Sequence, residues 1–201
     1  SSDLRRQRRE IGDIPLAESG AGRLRLFRDA KNNGKASVSE IFASGFSNPH
    51  GMTLAKGVLL VGDLQGVWRI PYTAGDTKAR EKQQMITAPG AIGASGGHAT
   101  RNVLASPDGS KLYVAIGSAS NVSEDPAPRA TIQVFDLDSQ ATKATNQRTF
   151  ASGTRNPVGI QFFPGTSDLF TTVNERDAEG DELVPDRSEE HTSELQSPMY
   201  L

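Results

Sequence analysis

The sequence contains no cysteine, so neither a disulfide framework nor a thiolate metal site is available to it. It has no excess of either charge. Lys and Arg number 22 against 24 Asp and Glu, a net charge of −2, which gives no electrostatic ground for nucleic acid or an anionic membrane as a partner. No apolar run approaches the roughly 20 residues of a membrane-spanning helix. Also missing is any sustained 3.6-residue apolar period, which argues against long amphipathic helices. The first residue is Ser1 rather than Met, and residues 1–30 do not read as a signal peptide. The chain is therefore expected to start inside a longer protein.

What is present is turn chemistry. With 20 Gly, 11 Pro and 35% hydrophobic residues, the composition is that of a turn-rich globular chain. The one basic cluster, "LRRQRRE" at residues 4–10, is short and terminal and reads as a solvated edge. At the other end, "RSEEHTSELQSP" from Arg187 matches the translation of a common sequencing adapter. Residues 187–201, His191 included, are read as a non-native tail, which leaves residues 1–186 as the domain.

One phrase occurs twice: "FASGFSNPHG" from Phe42 and "FASGTRNPVG" from Phe150. A fainter copy lies between them, in "HATRNVLASPDGSKLYVAIGS" from His98. Placing Pro107 on Pro164 puts His98 on Arg155, Asn102 on Gly159 and Leu112 on Leu169; Gly51 takes the corresponding place in the first copy. The repeat is about 54 residues long, near the kelch-type end of propeller spacings. Within each unit short β-branched or aromatic runs ("GMTLA", "VLLVGD", "GVWRIPY", "KLYVAIG", "TIQVFDL") follow one another across tight turns. Units of about four antiparallel strands predict an all-β fold, a β-propeller. A sandwich would not explain the repeat. At this spacing the chain holds three to four blades, an incomplete propeller. The repeated phrase is then scaffold, closing one blade and entering the next. Ser47, His98 and Arg155, which differ at equivalent positions, carry the information, and His98 and Arg155 are expected on one channel rim.

Candidate chemistry gathers at four places. His98 sits among glycines in "GASGGHATRN", where a ligand can approach closely and an imidazole can act as a base near neutral pH; a polar turn histidine is the plainer alternative. Arg155 and Asn156 pair a fixed positive charge with an amide donor, suited to an anionic or quinoid ligand or to hydrogen bonds between blades. "NERDAEGDELVPD" from Asn174 gathers carboxylates that suit Ca²⁺ or form a solvated loop. "DAKNNGKASVSE" from Asp29 has the outline of an EF-hand loop, but Lys31 takes a ligand position and the flanks read as strands, so a β-turn is the better reading. "NVS" at Asn121 is a generic glycosylation sequon, and His50 is read as structural.

These residues bring a family into view. From about Gly20 to Asp186 the chain resembles the PQQ-dependent sugar dehydrogenases of the glucose/sorbosone dehydrogenase family, on its sorbosone dehydrogenase-like branch. The markers are "GRLRLFRDAKNNGKA", "SNPHGMTL", "VWRIPYTAGDT", "SPDGSKLYVAIGSASNV", "FASGTRNPVG" and "VNERDAEGDELVPD". The resemblance implies a six-bladed propeller with pyrroloquinoline quinone (PQQ) over the channel mouth and Ca²⁺ beside it. It implies His98 as the catalytic base, Arg155 as a second catalytic group, and Arg155 and Asn156 as cofactor contacts. Asn174, Glu175, Arg176 and Asp177 fall where main-chain oxygens hold the metal. Val158 and Gly97 stand where the glucose enzymes carry Gln and a carboxylate, which points away from glucose itself. The implied partners are a sugar and an electron acceptor, and the implied location is periplasmic or secreted. The competing functions are a Ca²⁺-dependent lactonase-like hydrolase and a non-catalytic propeller that binds carbohydrate or protein.

Overall fold

The structure, a computed structural model, describes residues 12–31 and 33–178, together with the backbone of residues 187–191. The chain forms four antiparallel meanders in sequence order. The first blade is β1 (Asp13–Glu18), β2 (Arg23–Arg28) and β3 (Val38–Ser44). The second is β4 (Met52–Ala55), β5 (Val58–Gly62), β6 (Val67–Pro71) and β7 (Gln84–Met85). The third is β8 (Arg101–Ala105), β9 (Lys111–Ile116), β10 (Thr131–Leu137) and β11 (Ala144–Ser152). The fourth is β12 (Asn156–Phe162), β13 (Leu169–Asn174) and β14 (Arg187–His191). The only helical turn among the described residues is a 3₁₀ turn at Ser19–Ala21, and no described helix is long and apolar enough to cross a membrane.

The blades stack face to face through three apolar clusters, and period-two alternation decides which side chain joins which cluster. On β5, Leu59 and Val61 join Leu24, Leu26 and Phe42 of the first blade, whereas Val58 and Leu60 join Val103, Leu112 and Val114 of the third. Tyr113 and Ala115 of β9 turn the other way, onto Phe162 and Leu169 of the fourth. A strand buried on both faces has no polar side to alternate with, which is why "VLLVG" reads as a continuous apolar run. Among the described residues no cluster joins the first blade to the fourth. The sheets are open, as expected of an incomplete propeller.

The repeat alignment survives at the level of single pairs. Ala105 faces Leu112 in the third blade, and Phe162 faces Leu169 in the fourth, the same pair one repeat on. The repeated "FASG" has a role that the sequence did not announce. Leu24 and Arg25 face Ala43 and Ile41, so Phe42 is an extra residue in β3; Ile132 and Gln133 face Ala151 and Thr149, so Phe150 is the same extra residue in β11. Each is a β-bulge. Phe42 packs edge-on to Tyr72 at 5.9 Å and Phe150 to Tyr113 at 5.1 Å. The glycines that follow, Gly45 and Gly153, take φ of +91° and +80°, a turn that a side chain resists.

One expectation needs adjustment, and the β-turn reading of the Asp29 loop holds. Residues 187–201, read from the sequence as a non-native tail outside the domain, begin with five residues that form β14 and pair with β13 from Leu169 to Val173. The edge of β13 explains this, because unpaired N–H and C=O groups accept an extended segment whatever its side chains. The loop from Asp29 is the β2–β3 turn, where Asp29 accepts from Gly34 N–H at 2.6 Å and Asn33 from Lys35 N–H at 3.0 Å. Glu40, the twelfth residue of the EF-hand outline, lies within β3.

Candidate functional site

The inner strands β4, β8 and β12 run side by side, and their leading ends share one rim. Gly51 N–H donates to Arg101 O at 3.0 Å, and a Cβ on Gly51 would fall 2.4 Å from Asn102 Cα. Only glycine permits that approach. Asn102 spans both neighbours. Its Nδ2 donates to Val158 O on β12, and its Oδ1 accepts from His50 Nδ1 at 3.2 Å. His50 is thereby accounted for as a structural residue.

His98 and Arg155 meet at Ser118. Ser118 O accepts from His98 N–H at 3.0 Å, and Ser118 N–H donates to Arg155 O at 2.8 Å. One residue just after β9 therefore joins the leads into β8 and β12. The expectation that repeat-equivalent positions share a rim holds for this pair. The ring of His98 is half-buried, with Nδ1 3.1 Å from Ser118 O and 3.0 Å from Ser118 Oγ. Ser118 Oγ gives its own hydrogen to Ser120 O at 2.7 Å. Both neighbours of Nδ1 are then acceptors, so Nδ1 carries the proton and Nε2 presents a lone pair. Nε2 has no hydrogen-bond partner among the described residues.

Asn156 completes the corner. It is buried, and its Oδ1 accepts from Thr100 Oγ1, while its Nδ2 donates to no described residue. Gly117 lies between the two side chains: a Cβ there would stand 2.5 Å from His98 Cβ and 2.7 Å from Asn156 Oδ1. His98 and Asn156 thus both pack against residue 117, an approach possible only because that residue has no side chain.

Arg155 is differently employed. Its Nε donates to Asn121 O at 2.9 Å, Nη1 to Asn174 O at 3.1 Å, and Nη2 to Asp177 Oδ2 at 2.8 Å and to Asn121 Oδ1. The guanidinium is a hub tying the β9–β10 loop to the loop after β13. Asn121, the residue of the sequon, is spent on the same hub, donating from Nδ2 to Asp177 O at 2.9 Å and accepting from Asp177 N–H at 2.9 Å. Of the residues expected to hold metal, Asn174 and Asp177 thus give oxygens to a guanidinium; Glu175 is buried and Arg176 exposed. Among the described residues no three His, Asp or Glu side chains gather as a metal-binding group. Ca²⁺, which takes six to eight oxygens, does not fit this arrangement while Arg155 holds them. Glu179, Asp181 and Glu182 lie outside the described residues.

An anionic, acceptor-rich cofactor fits better. Arg155 is 9% exposed at its side chain, but its partner Asp177 is 81% exposed. An ion pair so open to water is worth about 0–1 kcal/mol, which an anionic group can replace. Two arginines that sequence reasoning passed over, Arg101 and Arg129, are buried beneath the His98 turn. A signal existed for one of them. Arg101, Val103 and Ala105 share one face of β8, and a charge in line with two core residues is a buried charge. Arg129 has no such local mark.

The sequence model of the TrAA12-like family matches residues 10–192. The chain belongs to the TrAA12-like family. Two solved relatives share the fold of this TrAA12-like chain. The Trichoderma reesei carbohydrate-active enzyme of family AA12 superposes with a TM-score of 0.66 at 18% identity, over 90% of this chain and 52% of that one. The PQQ domain of pyranose dehydrogenase from Coprinopsis cinerea, in its holo form, superposes with a TM-score of 0.64 at 20% identity, over 89% and 47%. An uncharacterized curated protein of Borreliella burgdorferi is 33% identical over 89 residues, which cover 44% of this chain and 22% of that protein. The chain therefore spans about half the length of the solved relatives and 22% of the curated one.

Proposed function

We propose that the complete protein is a quinoprotein oxidoreductase that oxidises a sugar or a sugar-derived hemiacetal or aldehyde. The observation that carries this reading is His98, whose Nδ1 is engaged by two acceptors while Nε2 is left as a base, on a rim that also carries Asn156 and Arg155. Family membership and the fold shared with a PQQ domain support the choice of cofactor. PQQ, when bound, supplies the two-electron acceptor. His98 Nε2 takes the proton of the sugar hydroxyl as hydride leaves the same carbon, so the substrate loses two electrons and two hydrogens. Asn156 Nδ2 and Arg155 are the residues that would hold the cofactor, Arg155 by giving up the exposed Asp177 carboxylate. The sorbosone branch, an external electron acceptor and a periplasmic or secreted location belong to the same proposal. Ca²⁺ takes no part in these steps.

The test is a PQQ titration of the complete propeller, followed by dye reduction with a panel of aldoses. Replacing His98 by Gln should lower kcat by about 10² to 10⁴ and leave PQQ affinity nearly unchanged. Arg155→Ala should weaken PQQ binding as well. Sugar oxidation at the wild-type rate by the His98 variant would remove the histidine from the mechanism. Failure of the complete wild type to bind PQQ would favour the non-catalytic propeller.

A further inference from the structure

The turn that carries His98 has little of its own to hold it. Gly93, Gly96 and Gly97 take φ of +81°, +104° and +60°, and residues 94–97 are exposed. Its carbonyls are instead held from beneath. Arg101 Nη1 donates to His98 O at 3.0 Å and Thr100 O at 2.8 Å, and its Nη2 to Ala94 O at 3.1 Å. Arg129 reaches the same turn from the lead into β10. Its Nη1 donates to Gly117 O at 3.1 Å and His98 O at 3.3 Å, and its Nη2 to Gly96 O at 2.6 Å and Ala94 O at 2.7 Å. Both guanidiniums thus converge on the carbonyls of Ala94 and His98.

This is a costly way to order a turn. Arg101 is 0% exposed and Arg129 9%. Neither has a carboxylate within ion-pair distance among the described residues. Burial, and then the charge of Arg129, pull the Arg101 guanidinium down to about 10. Like charges buried side by side are disfavoured, so the arrangement persists only where the rest of the fold compensates. What it secures is the backbone on either side of one imidazole, including the carbonyl of His98 itself and that of Gly117, which separates His98 from Asn156.

We infer that Arg101 and Arg129 are positioning residues for His98. They fix the turn so that Nδ1 meets Ser118 and Nε2 is left as the acceptor. The inference rests on the reading of His98 as a base, since only then does the tautomer bear on turnover. Arginine is required rather than any cation, because a planar fork reaches several carbonyls at once and an ammonium does not.

Long-range ¹⁵N–¹H correlation of the histidine rings in this chain, at mildly alkaline pH, reads the tautomer directly, with His98 assigned by loss of its signals in His98→Gln. The wild type should show the Nδ1–H form alone. Arg129→Lys, which keeps the charge, should give a mixture with Nε2–H. In the complete enzyme it should lower kcat by about 10- to 100-fold with KM unchanged, as displacement of a catalytic group does. Arg101→Lys is the second variant and should act in the same direction. A single Nδ1–H form in both lysine variants overturns the inference, and so does failure of both to fold, which would make the pair purely architectural. A mixed tautomer in the lysine variants together with full activity in His98→Gln would instead uphold the positioning geometry and overturn the proposed function.

Discussion

Two corners of the molecule are built to one plan and used for different ends. The second strand of the second blade runs out into Gly62-Asp63, and that of the third into Gly117-Ser118. At the first corner the Asp63 carboxylate is fully buried and accepts from the N–H groups of Ser47 at 2.8 Å, Gln65 at 2.8 Å and Gly66 at 3.0 Å. The side chain is consumed in closing the backbone. At the second corner the Ser118 backbone makes the connections, accepting from His98 and donating to Arg155. Its hydroxyl is left for the imidazole, and the carbonyls nearby are met by Arg101 and Arg129. At the second corner the scaffold duties pass to residues outside the repeated phrase.

That contrast can be broken by substitution. The largest effect is expected at Asp63. Asp63→Ala strands the N–H groups of Ser47, Gln65 and Gly66, the last of them buried, and should lower stability by about 2–4 kcal/mol in denaturant unfolding. Next comes Gly117→Ala. The new Cβ would overlap His98 Cβ and Asn156 Oδ1, so about 1–3 kcal/mol is expected, together with a displaced His98 ring visible by NMR. Ser118→Ala should cost only about 0.5–1.5 kcal/mol, because the carbonyl still accepts from Nδ1. Equal losses in Asp63→Ala and Ser118→Ala would erase the distinction between the corners.

The smallest effect sharpens the comparison by pH. The β8–β9 turn carries Asp108, whose carboxylate is held at about 2, below the ordinary 3.8, by hydrogen bonds from the Ser106 hydroxyl, the Ser110 N–H and the Ser110 hydroxyl. The matching β4–β5 turn at Lys56-Gly57 has no carboxylate. A depressed value means that the stabilisation is complete above about 4 and is lost as pH falls through 2. Asp108→Asn should flatten that part of the acid unfolding curve, and an unchanged curve would remove Asp108 from the account.

Strands and their order were legible because each run is short, β-branched and bounded by turn residues, as in "VLLVGD" and "KLYVAIG". The shared rim of His98 and Arg155 was legible because the repeat carries both to one place. What could not be read were contacts with no local period. Arg129 reaches His98 from 31 residues away, and Arg155 finds Asn121 across 34. The bulges at Phe42 and Phe150 were hidden too, since an inserted residue leaves the apolar pattern on either side intact. The loop after β13 read as a place for Ca²⁺, and there Asn174 O and Asp177 Oδ2 accept from the Arg155 guanidinium instead.

Those bulges bear on how copies of this molecule behave when crowded. A repeat protein presents nearly the same outer strand several times, so one molecule's edge is a ready template for another's. The extra residue at Phe42 and at Phe150 breaks the hydrogen-bond ladder at the same rung of each edge and increases its local twist. A strand arriving from a second molecule can match the register on one side of the phenylalanine but not on both. Removing the extra residue would straighten the edge and leave it open to sheet-to-sheet aggregation. Deleting Phe42 or Phe150 is therefore expected to raise self-association, measured by light scattering at high concentration.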